Sequence, residues 1–295
     1  MGILLLKWKG VVKFIGNWNE GNIIMLTLYH DHNAVCCQKV QLALFEKGVV
    51  CSDHIVSLFL SEQYSSEYLK INPRGVVPAL LHDGVILIES TVICEYINET
   101  FAGPPLLPDS SSERAQARVW AKLVDDEIHE AGSTLSFCAM FRDRMLSMET
   151  KEQEKRYRNV GNPIREDMYR SSVELGVESP FAYRAIASYE MMIRDLELRL
   201  ADTNGWIAGG IYSLAEIGHT PYFARVEFLG LLDIWLADRP LVNNWWENIK
   251  ERNSYNAVIS GPLMDDEIAE MKNSGNKICD RVAEKRQKYI NTLTE

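Results

Sequence analysis

Asn72-Pro73-Arg74-Gly75-Val76-Val77-Pro78-Ala79-Leu80-Leu81, followed after a short turn by Glu89-Ser90-Thr91, is the stretch whose reading decides the fold. It reads as a loop, a proline turn, a hairpin and a helix start in close succession. Proline lowers the trans preference of the Val77-Pro78 bond to about 0.5–1 kcal/mol, so a fixed turn can select the cis isomer there. Such a turn exposes the backbone of Val77 to something outside the sheet. Glu89 supplies a carboxylate and Ser90 stands where a helix begins, so an ammonium and a carboxylate can be held side by side. Free α-amino acid ends carry that pair of charges.

Working outward, Met25 to Tyr29 reads as a strand, and a helix with Val40, Leu42, Ala43, Leu44 and Phe45 on its apolar positions follows, closed by Lys47-Gly48. A second strand is expected around Val49 to Val56 and a short helix near Glu62 to Leu69. Asp83-Gly84 between Ala79–His82 and Val85–Ile88 is a hairpin signal, and a helix is expected from Thr91 to Glu99. The order βαβαββα makes a small mixed sheet covered by helices. Gly103-Pro104-Pro105 and Pro108 to Ser112 interrupt the periodicity, which makes residues 103–112 a linker between an α/β unit at 25–102 and a helical unit at 113–261. Arg114 to Met145, Phe181 to Leu200 and Leu241 to Ile249 read as helices of that unit. Ser213-Leu214-Ala215-Glu216 is a capping box, with Tyr212 and Ile217 placed for a hydrophobic staple. Residues 150–178 are charged and weakly periodic, which predicts an irregular excursion. Residues 262–295 predict a charged, exposed helical tail.

A chain of 295 residues with 46% hydrophobic content can bury a full core and is long enough for two domains. Its formal charge of −10 argues against nucleic acid or an anionic membrane as the main partner. Six cysteines without metal spacing, two of them adjacent as Cys36-Cys37, do not form a secreted disulfide framework and fit a reducing cytoplasm. Residues 1–24 are apolar only in patches broken by Lys7, Lys9 and Lys13. They make neither a signal peptide nor a span, which needs about 20 apolar residues, and read as a dispensable extension.

Leu28 to Gly48, the Asn72 to Pro78 loop, Glu89 to Tyr96 and the capping box at Ser213 together resemble the soluble glutathione transferases, from about Met25 to Ile259. Ile71 to Gly75 and Glu89 to Tyr96 look most like the bacterial glutathione-dependent β-etherase branch, which cleaves aryl ethers. The resemblance implies a thioredoxin-like N-terminal domain with cis Pro78, an all-α C-terminal domain, a homodimer, and glutathione as cosubstrate with no metal. Val77 would pair with the cysteinyl backbone of glutathione, and Glu89 with Ser90 would hold its γ-glutamyl end. Arg74 would reach a glutathione carboxylate or fix the loop.

Catalysis of this kind needs a thiolate. A thiol with a pKa near 8.5 is only a few per cent ionised at neutral pH, and lowering it by two units takes roughly 2.7 kcal/mol. A helix N-terminus near Val35 supplies about 0.3–1 kcal/mol and a side-chain donor about 1.5–3 kcal/mol. Many relatives place serine or cysteine at the start of Ala34 to Val40, where Ala34 offers no group. The task then passes to Cys36, at the position where a related hydroquinone dehalogenase uses cysteine, or to Cys37, which gapless matching to the β-etherases puts at their serine. A cysteine acting as donor leaves glutathione to attack an electrophilic carbon; a cysteine thiolate instead forms a mixed disulfide and performs reductions or dehalogenation. With no hydroxyl at Ala34, a non-catalytic binding module of the same fold is the third reading. Cys36 is the choice for the thiol-handling residue, and Cys37 could equally face the core as a small hydrophobe.

Four further features have plainer readings. His30 and His32 have no third metal ligand at suitable spacing. His129 beside Asp125 and Asp126 reads as a polar helix face. Arg142, Arg144, Lys155, Arg156 and Arg158 border an acidic substrate's entrance or make a solvated face. Tyr29, Phe137, Phe141 and Tyr222 line a pocket for a small aromatic substrate or belong to the core.

Overall fold

Strand β3 (Leu26–His30) turns Leu26, Leu28 and His30 into the core and leaves Thr27 and Tyr29 half-buried, the period-two pattern of a strand covered more fully on one face. The computed structural model describes residues 6–8, 11–13, 26–158, 161–203 and 205–294. Ahead of β3, β1 (Leu6–Trp8) and β2 (Val11–Lys13) pair antiparallel with Leu6 opposite Lys13. The expected domain start at Met25 and the rest of the expected extension lie outside the described residues.

Helix α1 (Val35–Lys47) follows β3 and ends at Gly48, whose φ of 69° is the left-handed conformation a glycine adopts without steric cost. β4 (Ser52–Ile55) then runs parallel to β3, and the short α2 (Tyr68–Ile71) leads to the proline turn. β5 (Ala79–His82) and β6 (Val85–Ile88) form the hairpin, with Asp83 and Gly84 both at positive φ, as a tight two-residue turn requires. α3 (Ser90–Thr100) closes the unit. The sheet order is β4-β3-β5-β6 with only β3 and β4 parallel, and Val77–Pro78 is cis. This is the expected thioredoxin-like arrangement.

The remainder is helical. Ser111–Leu123, His129–Ser136 and Arg142–Leu146 run on through two π-helical stretches, Val124–Ile128 and Phe137–Phe141. Pro180–Ala201 and Leu214–Phe228 form the centre of this domain. The capping box is present: Ser213 N–H and hydroxyl both donate to Glu216, and Ser213 Oγ accepts from Ala215 N–H. Tyr212 and Ile217 are both buried in the core beneath it. Leu28, Val40 and Ile93 belong to the same buried cluster as Val124, Tyr189, Phe223 and Trp245, so one core runs through both domains. At the C-terminal end of α1, Glu46 accepts two hydrogen bonds from Arg252 (2.9 and 2.7 Å) and ties that end to the helical domain.

One expectation is corrected and one refined. Residues 150–178 are not irregular but form helices Thr150–Arg158 and Pro163–Leu175. The second starts at Asn162, which accepts from the N–H groups of Ile164 and Arg165, with Pro163 in the first turn. Arg170 bonds Glu154 and Glu166 and lies over the Tyr157 ring, so charge pairs and one buried tyrosine do what an apolar stripe usually does. The tail is helical and largely exposed, as expected, but it is docked rather than free. Cys279–Thr294 packs on Pro180–Ala201, Val282 is buried, and Arg286 donates to buried Glu190.

Candidate functional site

The start of α1 faces the proline turn. Ala34 is extended and contributes no side-chain cap, and the first N–H groups of any helix have no acceptor within it. Cys36, half-buried in that first turn, donates from its thiol to the carbonyl of Val77 at 3.3 Å. Cys37 is fully buried among Val56, Tyr68 and Val77. The Cys37 thiol beside Cys36 lowers the Cys36 pKa, opposed by burial and assisted by the charge of Lys39. Burial, and then its contact with Cys36, raise the Cys37 pKa well above the usual thiol range. The more accessible residue of the pair is therefore also the one whose thiol ionises more readily.

The loop before Val77 is held from beneath. Asn72 is completely buried; its Nδ2 donates to Val76 O at 2.6 Å and its Oδ1 accepts from Arg74 N–H. Tyr68 hydroxyl donates to the same carbonyl at 2.8 Å. Gly75 has φ 61°, and a Cβ there would stand 2.9 Å from the Tyr64 ring, so both conformation and contact require glycine.

Across the hairpin, Glu89 holds φ 70°, an unfavourable value for a side chain with a Cβ, immediately before α3 begins at Ser90. Arg74 forms an ion pair with Glu89. Beside them, Lys39 Nζ donates to Thr91 Oγ1 (2.6 Å) and pairs with Asp125 (3.2 Å). Cys36, Val77 and Pro78 thus meet at one end of the site, while Arg74, Glu89 and Ser90 meet at the other.

The helical domain brings aromatic groups. Tyr222 is buried and its hydroxyl shares a hydrogen bond with His129 Nδ1 at 3.0 Å. Burial depresses the His129 pKa to about 4, so His129 is a neutral, inward-facing partner rather than the polar helix face expected. Phe137 stacks on Tyr169 with ring centres 3.9 Å apart and touches Phe141. Tyr29 lies apart from these, against His54 and Tyr68. Among the basic residues, Arg144 covers the Phe59 ring, Arg142 reaches Glu174 O, and Arg156 pairs with Glu152. Lys155 and Arg158 line an open surface depression with Glu154. His30 is buried against Gln41 and Asp53, whereas His32 is half exposed, so the two do not converge.

From the sequence Lys39 and Tyr169 carry no assigned role, and Thr91 appears only as a helix start. A lysine between Cys37 and Val40 on an apolar helix face is a signal that was available. Its partner Asp125 lies 86 residues away and was not legible.

Residues 28–105 match the family described as glutathione S-transferase, N-terminal domain. LigF from Sphingobium sp. strain SYK-6 is 34% identical over 195 residues, covering 65% of this chain and 75% of LigF. The crystal structure of that β-etherase superimposes with a TM-score of 0.71 at 28% identity over 80% of this chain and 99% of LigF. Tetrachloro-p-hydroquinone reductive dehalogenase from Sphingobium chlorophenolicum is 28% identical, over 78% of this chain and 94% of the dehalogenase.

Proposed function

The chain belongs to the glutathione S-transferase family, and on that premise we propose that it binds glutathione between α1, Val77 and α3 and directs its thiolate at a small, hydrophobic, aromatic electrophile. The reaction is cleavage of an aryl ether or conjugation. Glu89 takes the ammonium of the γ-glutamyl end, Ser90 and the N-terminus of α3 take its carboxylate, and Arg74 turns from Glu89 toward a second carboxylate. Val77 aligns the cysteinyl backbone, with cis Pro78 shaping the turn. Cys36 handles the thiol as a hydrogen-bond donor to the glutathione sulfur, and Cys37 supports it from the core. In ether cleavage the sulfur forms a bond to carbon, the carbon–oxygen bond breaks, and the phenolate leaves with the electron pair and takes a proton from water.

The observation that carries this reading is the Cys36 thiol on the Val77 carbonyl, which sets a sulfur donor beside the backbone a peptide thiol would pair with. The same proposal makes the protein a cytoplasmic homodimer acting on a small molecule. Its charge of −10 supports excluding nucleic acid and anionic membrane, and among the described residues no helix is long and apolar enough to cross a membrane. A second reading follows from the lowered Cys36 pKa. Cys36 thiolate attacks a glutathionyl mixed disulfide, releases the substrate thiolate, and is itself freed by a second glutathione that leaves as the oxidised dimer.

Calorimetry with glutathione, then turnover against aryl ethers, halogenated aromatics, dienones and mixed disulfides, tests both. We expect binding, phenol release from ethers, and loss of both ether and disulfide turnover in Cys36→Ala. Cys36→Ser separates the readings, because a hydroxyl replaces a donor but not a disulfide-forming nucleophile. Activity confined to disulfides overturns the first reading, and no binding in the millimolar range overturns both.

A further inference from the structure

We propose that Lys39 is a positioning residue of this site, whose buried ammonium ties the thiol-bearing turn of α1 to the first turn of α3 and fixes a positive charge one helical turn along α1 from Cys36. The inference deepens the proposed function and rests on the reading of Cys36 as the residue that handles the thiol.

Lys39 is 2% exposed. A buried ammonium is costly unless it is paired, and an apolar side chain usually serves stability as well. Its partners belong to different parts of the fold. Thr91, which follows Ser90 in α3, accepts at 2.6 Å, and Asp125, in the π-helical stretch of the helical domain, pairs at 3.2 Å. Thr91 hydroxyl in turn donates to Asp125 at 2.8 Å. Cys36 precedes Lys39 by three residues on α1, so the two lie along one face of the helix. One side chain therefore links the candidate thiol end of the site to its candidate γ-glutamyl end, and domain contact holds it in place.

The Lys39 charge acts on Cys36 although Asp125 pairs with it, and two further carboxylates lie nearby, Glu95 beside Cys94 and Glu130 toward Tyr169. On α1, Cys37 donates toward Cys36, and Asp31 faces Cys37 from the preceding loop. Tyr68, Tyr169 and Tyr222 are phenols with raised pKa values and stay neutral, as does Cys94, whose pKa burial raises to about 12. His129 and His219 are kept neutral by burial, each lowered to about 4. Arg165 adds positive charge near His129 and Tyr169, and Arg225 is held on Asn33 at the start of the α1 turn. Asp125 is the carboxylate that bonds Lys39, and its side chain is 47% exposed, so water weakens its opposition.

The test reads the sulfur itself rather than turnover. The rate of iodoacetamide alkylation of the glutathione-free protein is followed against pH, with Cys36→Ala as the blank. The other half-exposed thiols, Cys51 and Cys279, have raised pKa values and contribute little to that signal. Lys39→Gln is expected to move the Cys36 midpoint up and to slow alkylation at neutral pH roughly three-fold or more, and Lys39→Arg to restore it. Asp125→Asn, on the solvent side, is expected to move the midpoint down. A plain tether would shift both variants the same way or neither, and either result overturns the proposal. Should Lys39→Gln not fold, Asp125→Asn decides alone: a midpoint unchanged or raised overturns the proposal. Full transferase activity in Cys36→Ala would remove the functional reading and leave the alkylation result standing.

Discussion

Arg74 donates to the carboxylate of Glu89, so the two charged residues proposed for opposite ends of glutathione neutralise each other in the unliganded chain. Their side chains are 66% and 55% exposed, and a pair so open to water contributes only about 0–1 kcal/mol to stability. Exchange of this weak partner for a ligand's ammonium is therefore inexpensive.

Glu89 holds its carboxylate at φ 70°, a conformation that costs about 1–3 kcal/mol for a residue other than glycine. Glu89→Gly should leave the melting temperature unchanged or raised while glutathione affinity falls at least ten-fold or so, the loss of about one charged hydrogen bond. Thermal unfolding and calorimetry on one sample separate the two effects. A clear fall in melting temperature would make Glu89 a structural residue.

Cys37 is the largest influence lowering the Cys36 pKa. Cys37→Ala should shift the acidic limb of the pH–rate profile upward, at a stability cost of about 1 kcal/mol for the lost sulfur. An unchanged profile would mean that the Cys37 thiol does not donate to its neighbour.

His219 is fully buried, donates from Nδ1 to Ala215 O, and has its pKa lowered to about 4. Between pH 6.5 and about 4 the unfolded chain takes up a proton at this residue that the folded chain does not. Stability from His219 is thus full above the unfolded pKa and falls with pH by about 1.4 kcal/mol per unit in that window. Urea unfolding at pH 7 and pH 5 should show a smaller loss in His219→Gln than in the parent. Taking the difference between the two proteins cancels the other titrating groups, buried Glu216 among them.

The docked tail is testable at Gly275, where a Cβ would stand 1.8 Å from Leu229 O. Gly275→Ala must move backbone apart and should cost about 3 kcal/mol by denaturant unfolding. Deleting residues 264–295 should also destabilise, because it removes buried Met271 and Val282 and the Arg286 bonds to Glu190 and Ile234 O. A truncated protein of parental stability would show the tail to be dispensable.

What the sequence determined by itself was whatever neighbours in the chain decide. The hairpin at Asp83-Gly84, the Ser213–Glu216 cap, the stop at Gly48 and the spacing of the proline turn before Glu89 each depend on a few adjacent residues. Their order was enough to read the thioredoxin-like unit and its resemblance. Tertiary structure decided what depends on distant partners. Local rules make Cys36 the choice but let Cys37 equally face the core, and only the packing of Val56, Tyr68 and Val77 buries Cys37 and leaves Cys36 more open. Helices Thr150–Arg158 and Pro163–Leu175 carry weak apolar periodicity, and a cross-helix ion pair from Arg170 to Glu154 joins them, backed by the pair from Arg170 to Glu166 within the second helix. The burial of Lys39 depends on Thr91 and Asp125, 52 and 86 residues away. A charge reads as surface until the fold shows what encloses it.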